Sequence, residues 1–155
     1  MPADSTRLLA SYCTDPKISE RYNFIEIYGF ASHGPLDAWI RGLLGKNIPL
    51  LSCGISSGVA AVEVALHLGA TSITTVGSDL AIIDGSRYAF CEEKGYHELM
   101  VEGVKGNVPT QKDLMVTART MSYMALANHH ICRFTNCGEG AFLSGWGHRN
   151  ASAEL

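Results

Sequence analysis

The chain has no apolar run approaching the roughly 20 residues that cross a bilayer. Met1 to Leu9 lacks the basic start and apolar stretch of a secretion signal. A soluble, cytoplasmic protein with no membrane span is therefore expected. Charge is also scarce: 17% of the 155 residues are charged, the net charge is -3 and the pI is ≈ 6.0. Without a basic excess no nucleic-acid partner is expected. Any phosphate on a small ligand must be met by backbone N–H groups and a few side chains. The five cysteines (Cys13, Cys53, Cys91, Cys132 and Cys137) are odd in number and unpatterned. That points to a reduced chain rather than a disulfide framework. There is no CxxC and no HxxxH, so no zinc site is expected. The Walker loop, GxGxxG and the GxSxG elbow are all missing.

What is present is a globular composition, 46% hydrophobic, with apolar runs that alternate between two periods. Residues 1–22 are polar and read as an irregular lead-in. Phe24 to Phe30 alternates and reads as a strand. In Leu36–Leu44 the apolar residues Leu36, Trp39, Ile40, Leu43 and Leu44 fall on one helical face. Ile48–Ser52 reads as a buried strand and Val59–Leu68 as a helix with Val59, Val62 and Leu66 together. Gly69 closes that helix, and Ser72–Val76 is a further strand. Ile82–Ser86 reads as a turn, with Tyr88–Phe90 extended beyond it. Cys91 to Pro109 is long and glycine-containing and reads as an irregular lid or a disordered stretch. Thr110, with Asp113 three residues on, reads as a helix start. Leu114, Ala118, Met121 and Ala125 then mark its core face. Ile131–Phe134 reads as the last strand and 146–155 as a tail. Strands alternating with helices predict one α/β domain over 1–155, Rossmann-like, with a mostly parallel sheet and helices on both faces. In such sheets ligands sit at the carboxyl ends of the strands.

Several loops fall at those ends. Gly54-Ile-Ser-Ser-Gly58 joins a strand to a helix. Its small residues and helix N-terminus suit phosphate, which makes Gly54, Ser56, Ser57 and Gly58 nucleotide-binding candidates. It reads equally as an ordinary turn with Ser57 as N-cap. Gly77-Ser78-Asp79 puts a carboxylate just past a strand, placed for a ribose hydroxyl or Mg²⁺, or for capping its own loop. Asp84-Gly85-Ser86 reads first as a plain turn; with Asp79, Asp84 is the carboxylate available if Mg²⁺ is used. Tyr88 offers a ring or a hydroxyl, or half-buried packing. Lys105-Gly-Asn107 with Thr110 offers a lysine to a phosphate on lid closure, or a solvated side chain. Asn136-Cys-Gly-Glu-Gly140 places Asn136 and Glu139 in a tight loop. There Glu139 is either a base or metal ligand, or a solvent-facing turn residue.

Taken in order, GISSGVAAVEVALHLGATSITTVGSDLAIIDGSRYAF, VKGNVPT and FTNCGEGAFLSG resemble the core of the Maf (motility-associated factor) proteins. The same superfamily holds the MptE-like 6-hydroxymethylpterin diphosphokinases. The stretch is also similar to bacterial sialyltransferases of glycosyltransferase family 42. The resemblance covers Gly54 to Gly145. It implies a transferase that uses a CMP-activated nonulosonic sugar to modify flagellin, with no tightly bound cofactor. Ser56, Ser57 and Gly58 then match the loop holding CMP, Gly77 and Asp79 the Gly-x-Asp segment, and Tyr88 a tyrosine near the donor phosphate. Together with Glu139, read from its own loop, Asp79 and Tyr88 form the candidate catalytic set; Thr110 and Asn136, also read from their loops, join the candidate nucleotide contacts. Ala81 stands near the place of the family's other tyrosine, and Asn107 follows Gly106 where the sialyltransferases carry a histidine. The Gly-rich loop that opens the family fold is missing, as in a copy lacking its first βα unit. Two other functions fit these departures. One is Mg²⁺-dependent diphosphate transfer from ATP to 6-hydroxymethyl-dihydropterin, with Asp79, Asp84 and Glu139 as candidates. The other is a divergent or truncated module without catalysis.

Overall fold

A computed structural model describes residues 7–11, 15–17, 26–30, 35–44, 51, 56–86 and 99–149. The single domain expected from length divides into two compact units, Met1–Gly54 and Ile55–Leu155.

In the first unit, β1 (Arg7–Ser11) pairs in parallel with β2 (Glu26–Phe30), in register from Arg7 opposite Glu26 to Ser11 opposite Phe30. The lead-in read as irregular thus contains a strand. Arg7-Leu-Leu-Ala-Ser11 has too short an apolar core to show a period, and its partner strand supplies the ladder. α1 (Pro35–Leu44) starts on proline, whose missing N–H costs nothing at a helix start. The face expected to be buried is only partly so: Leu36, Trp39 and Leu43 are exposed. Of the strand expected at Ile48–Ser52, only Leu51 lies among the described residues, and it is buried.

The second unit is built on a parallel sheet. α2 (Ser57–His67) begins at Ser56, whose extended backbone (φ -152°, ψ 152°) and hydroxyl accept the helix. The Val59 N–H donates to Ser56 Oγ at 3.3 Å. The N-cap is thus Ser56, one residue before the expected Ser57. Gly69, at φ +81°, ends the helix in the left-handed region that a side chain resists. β3 (Ser72–Thr75) follows and pairs in parallel with β6 (Arg133–Asn136). β7 (Gly147–His148) pairs in parallel on the far side of β6. The last strand therefore lies in the segment read as a tail.

Between β3 and β6 the chain makes a hairpin, β4 (Leu99–Val101) against β5 (Val108–Thr110), and then α3 (Lys112–Asn128). The hairpin replaces part of the expected irregular lid. Its strands are three residues each, below what alternation can signal. Thr110 ends β5 rather than capping the helix, and Gln111 takes the N-cap position.

The core lies where α2 and α3 pack on this sheet. Val59 and Val62 of α2 meet Met121, Met124 and Ala125 of α3, Ile73 of β3 and Phe134 of β6, closed by Leu143 and Trp146. The Trp146 ring sits 5.1 Å from Phe134, tilted by 56°. Its indole N–H would be costly to bury alone, and it donates to the Met121 carbonyl at 3.0 Å. The architecture is an α/β, Rossmann-like fold, as expected.

Candidate functional site

Because β3, β6 and β7 run parallel, the segments leaving them emerge at one edge of the sheet. These are Val76–Ala81, Cys137–Ala141 and Arg149. Asn136, fully buried at the end of β6, ties two of them together. Its Oδ1 accepts from the Thr75 hydroxyl at 2.9 Å and from the Gly138 N–H at 3.1 Å, and its Nδ2 donates to the Ser78 carbonyl at 3.3 Å. A side-chain amide can serve donors and acceptors at once, which a carboxylate or an aliphatic residue cannot.

The two loops then meet backbone to backbone. The Glu139 N–H donates to Asp79 Oδ1 at 2.8 Å, and the Ala141 N–H to the Asp79 carbonyl at 2.7 Å. Glycine makes this approach possible. A Cβ on Gly138 would lie 2.8 Å from the Ser78 carbonyl oxygen, and one on Gly140 would overlap the Asp79 carbonyl oxygen. Leu80, next along, has φ +51°, a conformation uncommon outside glycine. It is held there from both sides. Its carbonyl accepts from the buried Thr110 hydroxyl at 2.9 Å, and Ile82 N–H donates to Pro109 O at 2.8 Å. Backbone held in such a region by surrounding bonds is a recurrent feature of functional loops.

The hairpin turn closes on the same place. Gly103 N–H donates to Gly106 O at 3.0 Å, and Val104 N–H to Gly140 O at 3.0 Å. Lys105 Nζ reaches Glu139 Oε1 at 3.0 Å, with both side chains 71% exposed. Beneath this pair is a cleft of about 350 Å³, lined by Val104, Lys105, Cys137, Gly138, Glu139, His148 and Arg149. That volume is at the lower end for small-ligand sites. His148 stacks on Phe142 (4.8 Å, 23°), with Nε2 3.1 Å from the Leu143 N–H. The Arg149 N–H donates to Asn136 O at 3.1 Å, which fixes that residue beside the end of β6.

The sequence-predicted residues thus separate into groups. Asp79, Asn136, Glu139 and Thr110 are brought together, and Lys105 joins them. Asn136 and Thr110, expected to touch nucleotide, are interior braces, each 0% exposed. Asp79 is part-buried and spends Oδ1 on the loop. Gly77 is exposed at φ +70°. Ser56 spends its hydroxyl on the helix start, while Ser57 and Gly58 lie exposed in the first turn of α2. Asp84 and Gly85 form a two-residue turn at φ +51° and +76°, closed by paired hydrogen bonds between Ile83 and Ser86. That is the geometry Asp-Gly favours in tight hairpins. Gly54 and Tyr88 lie outside the described residues. Among the described residues no group of three or more His, Cys, Asp or Glu is placed to hold a metal, and no helix is long and apolar enough to cross a membrane.

His148 and Arg149 were not singled out in the sequence. His148 ends the two-residue strand β7 and Arg149 follows it, which leaves no period to read. Only the buried Trp146 just before them signals that the chain is still inside the fold.

The sequence matches no family model and no curated protein. The fold does find a counterpart. It is similar to the structure of the Maf glycosyltransferase from Magnetospirillum magneticum AMB-1, with a TM-score of 0.75 over 96% of this chain. The likeness falls on the family that the loop sequences resemble. At 17% identity it speaks to the fold, and the chain spans 22% of the length of that protein.

Proposed function

We propose that this chain is the nucleotide-binding part of a Maf-like glycosyltransferase that takes a CMP-activated nonulosonic sugar, with a flagellin hydroxyl as acceptor. The observation that carries the reading is the cleft at the carboxyl edge of the sheet. It is the place where Rossmann-like folds bind nucleotides, and it lies in a fold similar to a Maf glycosyltransferase. In this reading the exposed start of α2, at Ser57 and Gly58, receives the cytidine phosphate through backbone N–H groups and the Ser57 hydroxyl. Asp79 orients the loop by holding the Glu139 N–H. Glu139 is the carboxylate at the cleft mouth able to take the acceptor proton once Lys105 lets it go. Leaving CMP carries away the negative charge released when the sugar's anomeric bond breaks.

Calorimetric titration of the purified chain with CMP tests this. Binding that weakens in Ser57→Ala, followed by sugar transfer from a CMP-nonulosonic acid to flagellin, is the expected outcome. ATP binding that requires Mg²⁺, with no response to CMP, would replace it with the diphosphokinase reading. CMP binding without any transfer would leave a binding module.

A further inference from the structure

The β4–β5 hairpin has an outward side that the cleft does not use. Side chains alternate along an extended ribbon. Val101 and Gly103 are turned inward, half-buried and buried, while Met100 and Glu102 are turned outward and exposed. Met100 lies opposite Pro109 of β5. Gly103 bridges Ala141, and the Phe142 N–H donates to Glu102 O at 2.8 Å, so Phe142 lies opposite Glu102 on the same outward side. This face is apolar, with Met100 63% and Phe142 43% exposed and Pro109 half-buried. Its one charge is Glu102, which forms no ion pair among the described residues.

Both sides of the ribbon are already hydrogen-bonded. Ile82 N–H donates to Pro109 O at 2.8 Å on one side, and Ala141 N–H to Asp79 O at 2.7 Å on the other. A partner therefore meets the side-chain face and not a free strand edge. That face selects its occupant. A sugar needs several polar partners and a nucleic acid needs basic ones, and the face offers a lone carboxylate. The same carboxylate repels an anionic lipid surface. Apolar side chains next to a lysine or arginine match both features. The face also borders the cleft: the Phe142 ring stacks on His148, which lines it. Glu139 stands three residues before Phe142, at most about 11 Å away along the chain.

We propose that this face docks the acceptor as an extended polypeptide segment. Its apolar side chains rest on Met100, Pro109 and Phe142, and its lysine or arginine meets Glu102. A hydroxyl two or three residues further along the segment then comes within reach of Glu139. The role as acceptor dock rests on the glycosyltransferase reading; the docking of an apolar, basic segment does not. The ribbon is fixed by main-chain bonds on both sides, so its own ordering costs the complex little.

Flagellin monomer is the probe, read by fluorescence anisotropy for binding and by sugar transfer from a CMP-nonulosonic acid for activity. Wild type is compared with Met100→Ser, Phe142→Ser and Glu102→Lys. Leu68→Ser, at an exposed apolar residue that caps α2, is the control for lost surface apolarity, and thermal unfolding verifies folding. Truncating an apolar contact or reversing the facing charge weakens binding about five- to tenfold. We expect that loss in all three variants and not in Leu68→Ser, with KM for flagellin raised and KM for the donor unchanged. Met100→Ser and Glu102→Lys, both at exposed positions, decide the outcome if Phe142→Ser does not fold. Flagellin affinity and KM unchanged in those two variants would overturn the inference, even where transfer proceeds and the glycosyltransferase reading stands. Variant-sensitive flagellin binding without sugar transfer would uphold the docking face and sink that reading. No binding of flagellin by wild type would overturn the dock. Self-association of wild type in sedimentation, abolished by the same variants, would also overturn it, because a second copy then occupies the face.

Discussion

Replacing Gly140 by alanine should be one of the most damaging single-methyl changes in the second unit. The new Cβ would overlap the Asp79 carbonyl oxygen and stand 3.0 Å from the Ala81 Cβ. The obstacle is the Asp79 main chain and the Ala81 methyl group, neither of which can rotate away. Forcing a methyl group into a closed contact costs about 1–3 kcal/mol. If the loops part to make room, two hydrogen bonds go with them. The Ala141 N–H to Asp79 O bond is worth about 0.5–1.5 kcal/mol, and the Glu139 N–H to the Asp79 carboxylate about 1.5–3 kcal/mol. The cost is therefore about 1–3 kcal/mol if the loops hold and about 2–4.5 kcal/mol if they part, a large share of a typical domain's stability. Urea unfolding measures it, with Gly77→Ala as the internal control. Gly77 has φ +70° but open space around it, so alanine there costs only the left-handed backbone, about 1–2 kcal/mol. A Gly140→Ala variant no less stable than Gly77→Ala would refute the close approach of the two loops.

Three further outcomes follow from the same contacts. Asn136→Asp should destabilise by about 2–4 kcal/mol in urea unfolding near neutral pH, because a buried carboxylate cannot donate to Ser78 O. Glu139→Gln should change stability by less than about 1 kcal/mol, since the pair it breaks is exposed; a larger loss would mean the pair is structural. Burial pushes the Cys132 thiol above its ordinary value. The folded state therefore favours the protonated thiol. Its contribution is complete below the ordinary thiol range and is lost as pH rises through the raised value. Alkylation of Cys132 by iodoacetamide at pH 8 should accordingly be slow in the folded chain and fast in urea, and equal rates would contradict its burial.

The elements that repeat were legible from the sequence alone. Val59, Val62 and Leu66 are spaced for one face of a helix, and that helix is α2, with Val59 and Val62 buried. Ser-Ile-Thr-Thr is β-branched and bounded by glycines, and it is β3. The Asp-Gly pair at 84–85 specified its own turn, because few other residues tolerate two successive positive φ angles. The pieces resembling Maf proteins led to the fold that the structural likeness bears out. For the helix, the strand and the turn the signal lay within about a dozen neighbouring residues.

The rest required partners distant in the chain. β1, β4, β5 and β7 are five residues or fewer, too short for a period to show. They are strands because another strand satisfies their backbone. Asn136 and Thr110 were singled out as ligand contacts, but a residue type does not say which way it will face. The fold turned both inward, to hold the Ser78 and Leu80 carbonyls. His148 and Arg149 carry no local signal, and only the parallel pairing of β7 with β6 brings them to the edge where Lys105 and Glu139 meet. Local sequence determined which segments form helices and turns, because backbone preference and side-chain period act over a few residues. Tertiary structure decided which polar groups brace the loops and which face the cleft, because that depends on hydrogen bonds between residues some sixty positions apart, such as Thr75 and Asn136.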